Sequence, residues 1–251
     1  MIIRKLLRLS ILLIVLFIVG CDNNYIFEDT ESKLPLNISE NNQENTVINH
    51  INIEGLTIED RYLPIEGYTR TEHEEEGFAE FLRNQKLKPY GEKVLYYDGR
   101  EKPSNGIYDS VFDVDIGDRD LHQCADAIML LRGEYLYSKG LYDKISFNFV
   151  SGFKAEYKAS ESSNSYEVFR KYMDMVFAYS GTLSLENELR SVSIDDMDIG
   201  DVFIVGGSPG HAVIIVDVAN NSNGEKIFLL AQSYMPAQQT QLLINPMDED
   251  I

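Results

Sequence analysis

From about residue 53 onward, short apolar segments alternate with amphipathic ones, and their order predicts the architecture. Alternating or β-branched runs predict strands at 61–71, 93–97 and 110–116, with a helix at 74–85 between the first two. The strongest helical pattern spans 119–138. There Leu121, Cys124, Ile128, Leu131 and Tyr135 recur at i, i+3, i+7, i+10 and i+14, which is one continuous face. A strand at 145–150 follows, then a helical region at 165–189 broken near Gly181. The chain closes with four strand-like runs, at 202–205, 212–218, 226–233 and 240–244. The first two of these are joined by Gly206-Gly207-Ser208-Pro209-Gly210, residues that tolerate the backbone angles of a tight turn. The expected class is α+β: an N-terminal helix and strands, then a long helix packed on a C-terminal antiparallel sheet. No internal repeat interrupts that order.

The first 20 residues follow a different logic. Arg4, Lys5 and Arg8 lead into an apolar run from Leu9 to Val19 broken only by Ser10, the layout of a secretory signal, and the run is too short for a comfortable membrane span. Its end, Ile18-Val19-Gly20-Cys21, resembles a bacterial lipobox. That resemblance implies that Cys21 takes diacylglycerol and becomes the mature N-terminus, so that an N-terminal lipid holds the protein to a membrane of the bacterial cell envelope. A plain signal peptide cut elsewhere is the alternative. Residues 21–52 hold eight asparagines among Glu, Ser and Asp, a composition that predicts a flexible tether, and 53–251 is expected to form a single globular domain.

Composition then narrows the function classes. Of 251 residues 44% are hydrophobic, enough for a sizeable core, and 41 acidic against 22 basic residues give a formal charge of -19. Removing residues 1–20 takes away three positive charges and leaves -22, so acyl chains rather than basic residues would hold the bilayer. A phosphate backbone would be repelled, and nucleic acid is excluded as a partner. Two cysteines, Cys21 and Cys124, are too few for a disulfide framework or a thiolate zinc site. The run Asp113-x-Asp115-x-Gly117-Asp118-x-Asp120 fails as a calcium loop, because the fifth position is Gly117 and the twelfth is Cys124. No metal or cofactor is expected. His50 has no companions, His73 lies among Glu74, Glu75 and Glu76 without a second histidine, and His122 reads as a solvated helix residue. Tyr135, Tyr137 and Tyr142 read as helix packing, with a sugar-binding face as the alternative.

The chemistry concentrates on Cys124. If Asp118 or Asp120 caps the helix, this thiol lies about one turn in, where the positive end of the helix stabilises a thiolate. The opposite reading is an inert buried cysteine on an apolar stripe, with nearby aspartates opposing ionisation. Downstream, Gly200-Asp201 opens one strand, Gly210-His211 opens the next, and the third ends in Gln232-Ser233. Helical cysteine, strand histidine and a polar residue on the neighbouring strand is the chain order of papain-like amidases. The Gly-Asp-then-His pattern resembles the NlpC/P60 and CHAP cell-wall hydrolases. This resemblance implies a papain-like, NlpC/P60-like arrangement in which Cys124 attacks an amide carbonyl, His211 takes and returns its proton, and Gln232 fixes the imidazole tautomer. The Cys124 N–H and the amide of Gln123 would then stabilise the oxyanion.

Four longer segments carry a second resemblance: 120–127, 178–185, 200–213 and 229–238. They are similar to bacterial lipoproteins that carry domain of unknown function 4846, over about residue 55 to the end. Members of that family continue past the Asn245-Pro246 position into a short aromatic tail, so the C-terminus here is expected to be shortened. The resulting expectation is a membrane-tethered thiol amidohydrolase or peptidase acting on peptide or peptidoglycan-type amides. The alternative is a non-catalytic envelope protein that binds a ligand or partner in the same groove.

Overall fold

The computed structural model describes residues 50–103, 106–158 and 165–245, together with the backbone of Arg4–Leu6 and Val47–Ile48. Cys21, and most of the expected signal and tether, lie outside the described residues. In chain order the elements are β1 (Arg4–Leu6), β2 (Val47–Ile48), β3 (Ile51–Asn52), α1 (Ile58–Arg61), β4 (Tyr68–Arg70), α2 (Phe78–Arg83), β5 (Tyr108–Val111) and α3 (Cys124–Ser138). A 3-10 turn (Tyr142–Lys144) leads to β6 (Ser146–Asn148), β7 (Lys154–Glu156), α4 (Tyr166–Tyr179), α5 (Thr182–Glu188) and β8 (Arg190–Val192). The last four strands are β9 (Val202–Val205), β10 (His211–Asn221), β11 (Lys226–Gln232) and β12 (Gln241–Leu243).

This is a mixed fold of helices and an antiparallel sheet, the coarse class the pattern predicts. The main sheet runs β5-β12-β11-β10-β9-β1-β8, with β4 pairing the far end of β10. Every pairing is antiparallel except that of β1, which lies parallel to β8 and β9. β10 is the spine. Ala212, Ile214 and Val216 face the main core, with Ile128, Leu131 and Met173 from the helices, whereas Val213 and Ile215 pack with Phe203, Met197 and Leu230 on a second cluster. That alternation is the period-two pleat of a strand buried on both faces.

The structure departs from the pattern where tertiary partners override it. α3 begins at Cys124, not at 119, because residues 120–122 are tied to the loop that precedes β12. Ala237 N donates to Asp120 Oδ1 at 2.6 Å, and the His122 carbonyl accepts from Gln238 N at 3.3 Å and from Ser233 Oγ at 2.9 Å. The expected one-sided apolar stripe is also absent: Cys124 through Leu131 are all buried, so α3 runs through the core with no wet face over its first two turns. α4 is the amphipathic helix, with Phe169, Tyr172, Met173, Val176 and Phe177 inward and Ser165 accepting from the Val168 N–H as its cap. The strand expected at 110–116 stops at Val111 because its partner β12 spans only Gln241–Leu243. The segment 93–97 forms isolated bridges, Leu95 to Glu101 and Tyr96 to Gln238, in place of a strand, and Arg61 ends a helical turn instead of opening a strand. Residues at the end of the expected tether already bond to the fold, since Ile51 bridges Tyr62 and Leu63 N donates to the His50 carbonyl at 2.8 Å.

Candidate active site

Cys124 is the first residue of α3, with Gln123 as its cap in extended backbone. The amides of a helix's first turn have no partner within the helix, so the Cys124 N–H points out of the helix end. Gln123 has a capping role: its backbone N–H donates to Asp126 Oδ2 at 3.0 Å, and its side-chain Nε2 donates to Asp120 Oδ1 at 3.3 Å. The helix start packs on β10, where the Ala212 amide favours the ionised Cys124 sulfur. The nucleophile candidate therefore sits one backbone position from His211.

His211 opens β10 and pairs with Val205 of β9, so the 206–210 turn fixes where the imidazole begins. That turn is docked on the start of α5: Thr182 Oγ1 donates to the Gly207 carbonyl at 3.2 Å and accepts from the Gly207 N–H at 3.3 Å. Gly210 is required by close approach, since a Cβ there would lie 2.3 Å from Thr182 Oγ1 and 2.4 Å from the Gly207 carbonyl. At the other end of the hairpin, Gly200 has φ +88 and lies against the Phe78 ring, while Asp201 is buried and accepts from the Asp198 N–H at 2.8 Å. The Gly-Asp pair thus closes the turn that feeds β9.

Gln232 ends β11, and its Oε1 lies 2.7 Å from His211 Nε2. Oε1 can only accept, so Nε2 carries the proton and Nδ1 presents its lone pair. Nδ1 is buried and has no hydrogen-bond partner among the described residues, the Cys124 thiol included. The Tyr234 ring packs edge-on against the imidazole at 5.3 Å. Sulfur, imidazole and carboxamide are gathered at one end of the sheet, with the thiol and the imidazole not yet bonded.

Electrostatics favours neutral partners at rest. Burial pushes the Cys124 thiol up, and the Asp126 charge adds to this against the amides of Ala212, Ala125 and Cys124 itself. Burial also lowers the pKa of His211, opposed by its bond to Gln232. The resting pair is thiol and neutral imidazole, not thiolate and imidazolium.

Two buried residues beside the site were not legible as such. His122, expected to be solvated, is 1% exposed: its Nε2 lies 3.0 Å from Thr240 Oγ1, its ring packs on Phe177, and burial lowers its pKa to about 3. Asp126 is buried with Oδ1 unpartnered, and burial raises its pKa to about 7. The Gln123-x-x-Asp126 spacing, a cap followed by an acid at the third helical position, is the signal that would have found it. Thr182 and Tyr234 carry no comparable signal.

The remaining candidates lie elsewhere. His73 Nε2 bonds Thr71 Oγ1 at 2.7 Å and sits 3.9 Å from Asp198, while His50 is exposed. Tyr137 stacks on Phe169 at 4.6 Å with Tyr142, Tyr157 and Tyr166 around it, whereas Tyr135 packs on Phe78 and Phe81. The three tyrosines belong to two packing clusters and share no sugar-binding face. Among the described residues no three His, Cys, Asp or Glu side chains gather to hold a metal, and no helix is long and apolar enough to cross a membrane.

No curated protein and no solved structure matches the chain. A family model does: Domain of unknown function (4846) covers residues 58–251, and the chain belongs to that family.

Proposed function

We propose that the protein is a papain-like thiol amidohydrolase acting on peptide-type amides, presented in the cell envelope on a lipid attached at Cys21. The observation that supports this reading is the unpaired Nδ1 of His211, held by the bond from Nε2 to Gln232 while the Cys124 sulfur lies against the Ala212 amide. In the reaction His211 Nδ1 takes the thiol proton as sulfur bonds to the carbonyl carbon, and the Cys124 N–H receives the developing oxyanion. Collapse expels the amine, which leaves with the proton from His211. Water, deprotonated by the same nitrogen, then cleaves the thioester to a carboxylic acid and regenerates the thiol.

A second reading, a non-catalytic binding protein, is favoured by one observation: the raised thiol pKa with no thiol-to-imidazole hydrogen bond. Iodoacetamide labelling from pH 5 to 9, with the adduct mapped, separates the two. For the hydrolase, Cys124 is alkylated in the folded protein, slowly at neutral pH and faster as pH rises, and His211→Ala slows labelling at least tenfold. A Cys124 that stays unmodified until the protein unfolds leaves the binding protein.

A further inference from the structure

Three of the four most exposed large apolar side chains among the described residues, Val150, Phe153 and Tyr179, meet at the tip of the β6–β7 hairpin, each more than half exposed. Phe149 joins them, its ring centroid 5.4 Å from that of Phe153 and 5.1 Å from that of Tyr179. The tip is fixed by its backbone: Phe149 N donates to the Phe153 carbonyl and Val150 N to the Tyr179 carbonyl, both at 2.9 Å. Met175, exposed one turn before Tyr179 on α4, extends the same face. Large apolar groups that face water together mark a contact surface, where scattered ones do not. Nothing in the proposed hydrolysis uses them.

The two segments that meet at this patch carry no charge. Residues 145–153 and 175–185 contain no Asp, Glu, Lys or Arg, in a chain that is 25% charged with a formal charge of -19. Asp174 and Glu186 bound the second segment, and the first charged residue past the tip is Lys154, with Glu156 3.2 Å from it. A domain of this charge is repelled by anionic headgroups, and it meets least opposition where it presents no carboxylate. The reading of Cys21 as a lipid site, on which this inference rests for the presence of a membrane, puts a bilayer within reach. Twenty-six positions separate Cys21 from Val47, at most about 90 Å of chain. That exceeds the diameter of a domain of this size, roughly 40 Å, so the attachment leaves any face free to meet the bilayer. The patch also adjoins the candidate site, since Tyr179 is three residues before Thr182, on which the 206–210 turn is mounted.

We infer that the β6–β7 tip docks on the lipid bilayer, with Val150 and Phe153 at the boundary of headgroups and acyl chains and Tyr179 at the rim. Apolar and aromatic side chains set shallowly into that boundary are how a protein lies on a membrane, and a tyrosine keeps its hydroxyl in water there while its ring is covered. Acyl chains hold the domain near the bilayer, and the tip decides which face meets it. Docked this way, the 206–210 turn and the His211 end of the sheet lie toward the membrane surface.

The chain has no tryptophan, so a single introduced one reports its own surroundings. In the full chain, Phe153→Trp is compared with Leu56→Trp, an equally exposed position on the loop before α1. Vesicles of phosphatidylethanolamine and phosphatidylglycerol, three to one, are added with and without dibrominated phosphatidylcholine. Emission from position 153 should shift to the blue and be quenched at least twofold by the brominated lipid, while emission from position 56 does neither. Val150→Asp in the Phe153→Trp chain should remove at least half of that quenching with the melting temperature retained, both side chains being exposed. Each reporter reads its own depth, so the result is the same whether an acyl group at Cys21 or residues 1–20 hold the chain to the vesicle. The mass of the protein purified from bacterial membranes checks the acylation separately. Emission at 153 that is unquenched, or quenched no more than at 56, would overturn the docking. A blue shift at 153 that grows with protein concentration in the absence of vesicles would assign the face to a second copy of the chain instead.

Discussion

At the scale of single residues, two buried titratable groups flank Cys124 and act on stability in opposite directions. Asp126 holds its proton up to about 7, whereas in the unfolded chain it releases it near 4. Across that window the folded state binds more protons than the unfolded one, so this group makes stability fall as pH rises. His122, lowered to about 3, refuses in the fold a proton that the unfolded chain accepts below about 6.5, so its contribution is lost as pH falls. Asp126→Asn keeps an acceptor for the Gln123 N–H and removes the titration. Urea melts should show the variant gaining on the wild-type protein by a few kcal/mol between pH 4 and pH 7, and parallel curves would show that Asp126 does not hold its proton. The sequence made the His211–Gln232 pairing legible because His211 opens one strand-like run and Gln232 closes the next. It hid His122 and Asp126, because burial depends on partners far off in the chain, for His122 Thr240 and Phe177.

At the scale of elements, the imidazole's position depends on a turn anchored to a helix. Gly210→Ala places a methyl group against Thr182 Oγ1 and the Gly207 carbonyl, so the turn must lift from α5 and His211 must move with it. Overpacking of this kind costs roughly 1–3 kcal/mol, and the variant should also lose the His211-dependent part of Cys124 alkylation, read by mass spectrometry. A variant that melts and labels like the wild-type protein would show that the turn is not a rigid mount. The glycine-rich turn and its flanking strands were readable from residue type alone. The start of α3 was not, since the helical periodicity runs unbroken from Leu121 and only the bonds to Ala237 and Gln238 stop the helix at Cys124. The run of small and apolar residues Ala127 to Leu131 was the available sign that this helix has no solvent side.

At the scale of the whole molecule, the Arg70–Asp217–Arg83 triad pins β4 and α2 to β10 across 147 and 134 positions of sequence. Such long-range pairing has no local signature, and for that reason it was invisible in the pattern. Asp217→Ala leaves two largely buried guanidiniums without a carboxylate and should cost roughly 3–5 kcal/mol in urea denaturation. A loss below 1 kcal/mol, about the value of an exposed pair, would mean that water reaches the triad. The burial of α3 has a consequence for motion. Its first two turns are enclosed by the core, so the backbone that carries Cys124 is held by packing. The imidazole stands on the first residue of a strand, bonded to Gln232 and packed against Tyr234. In the proposed reaction, bringing the thiol to its base is therefore left to the torsions of the two side chains rather than to a shift of α3.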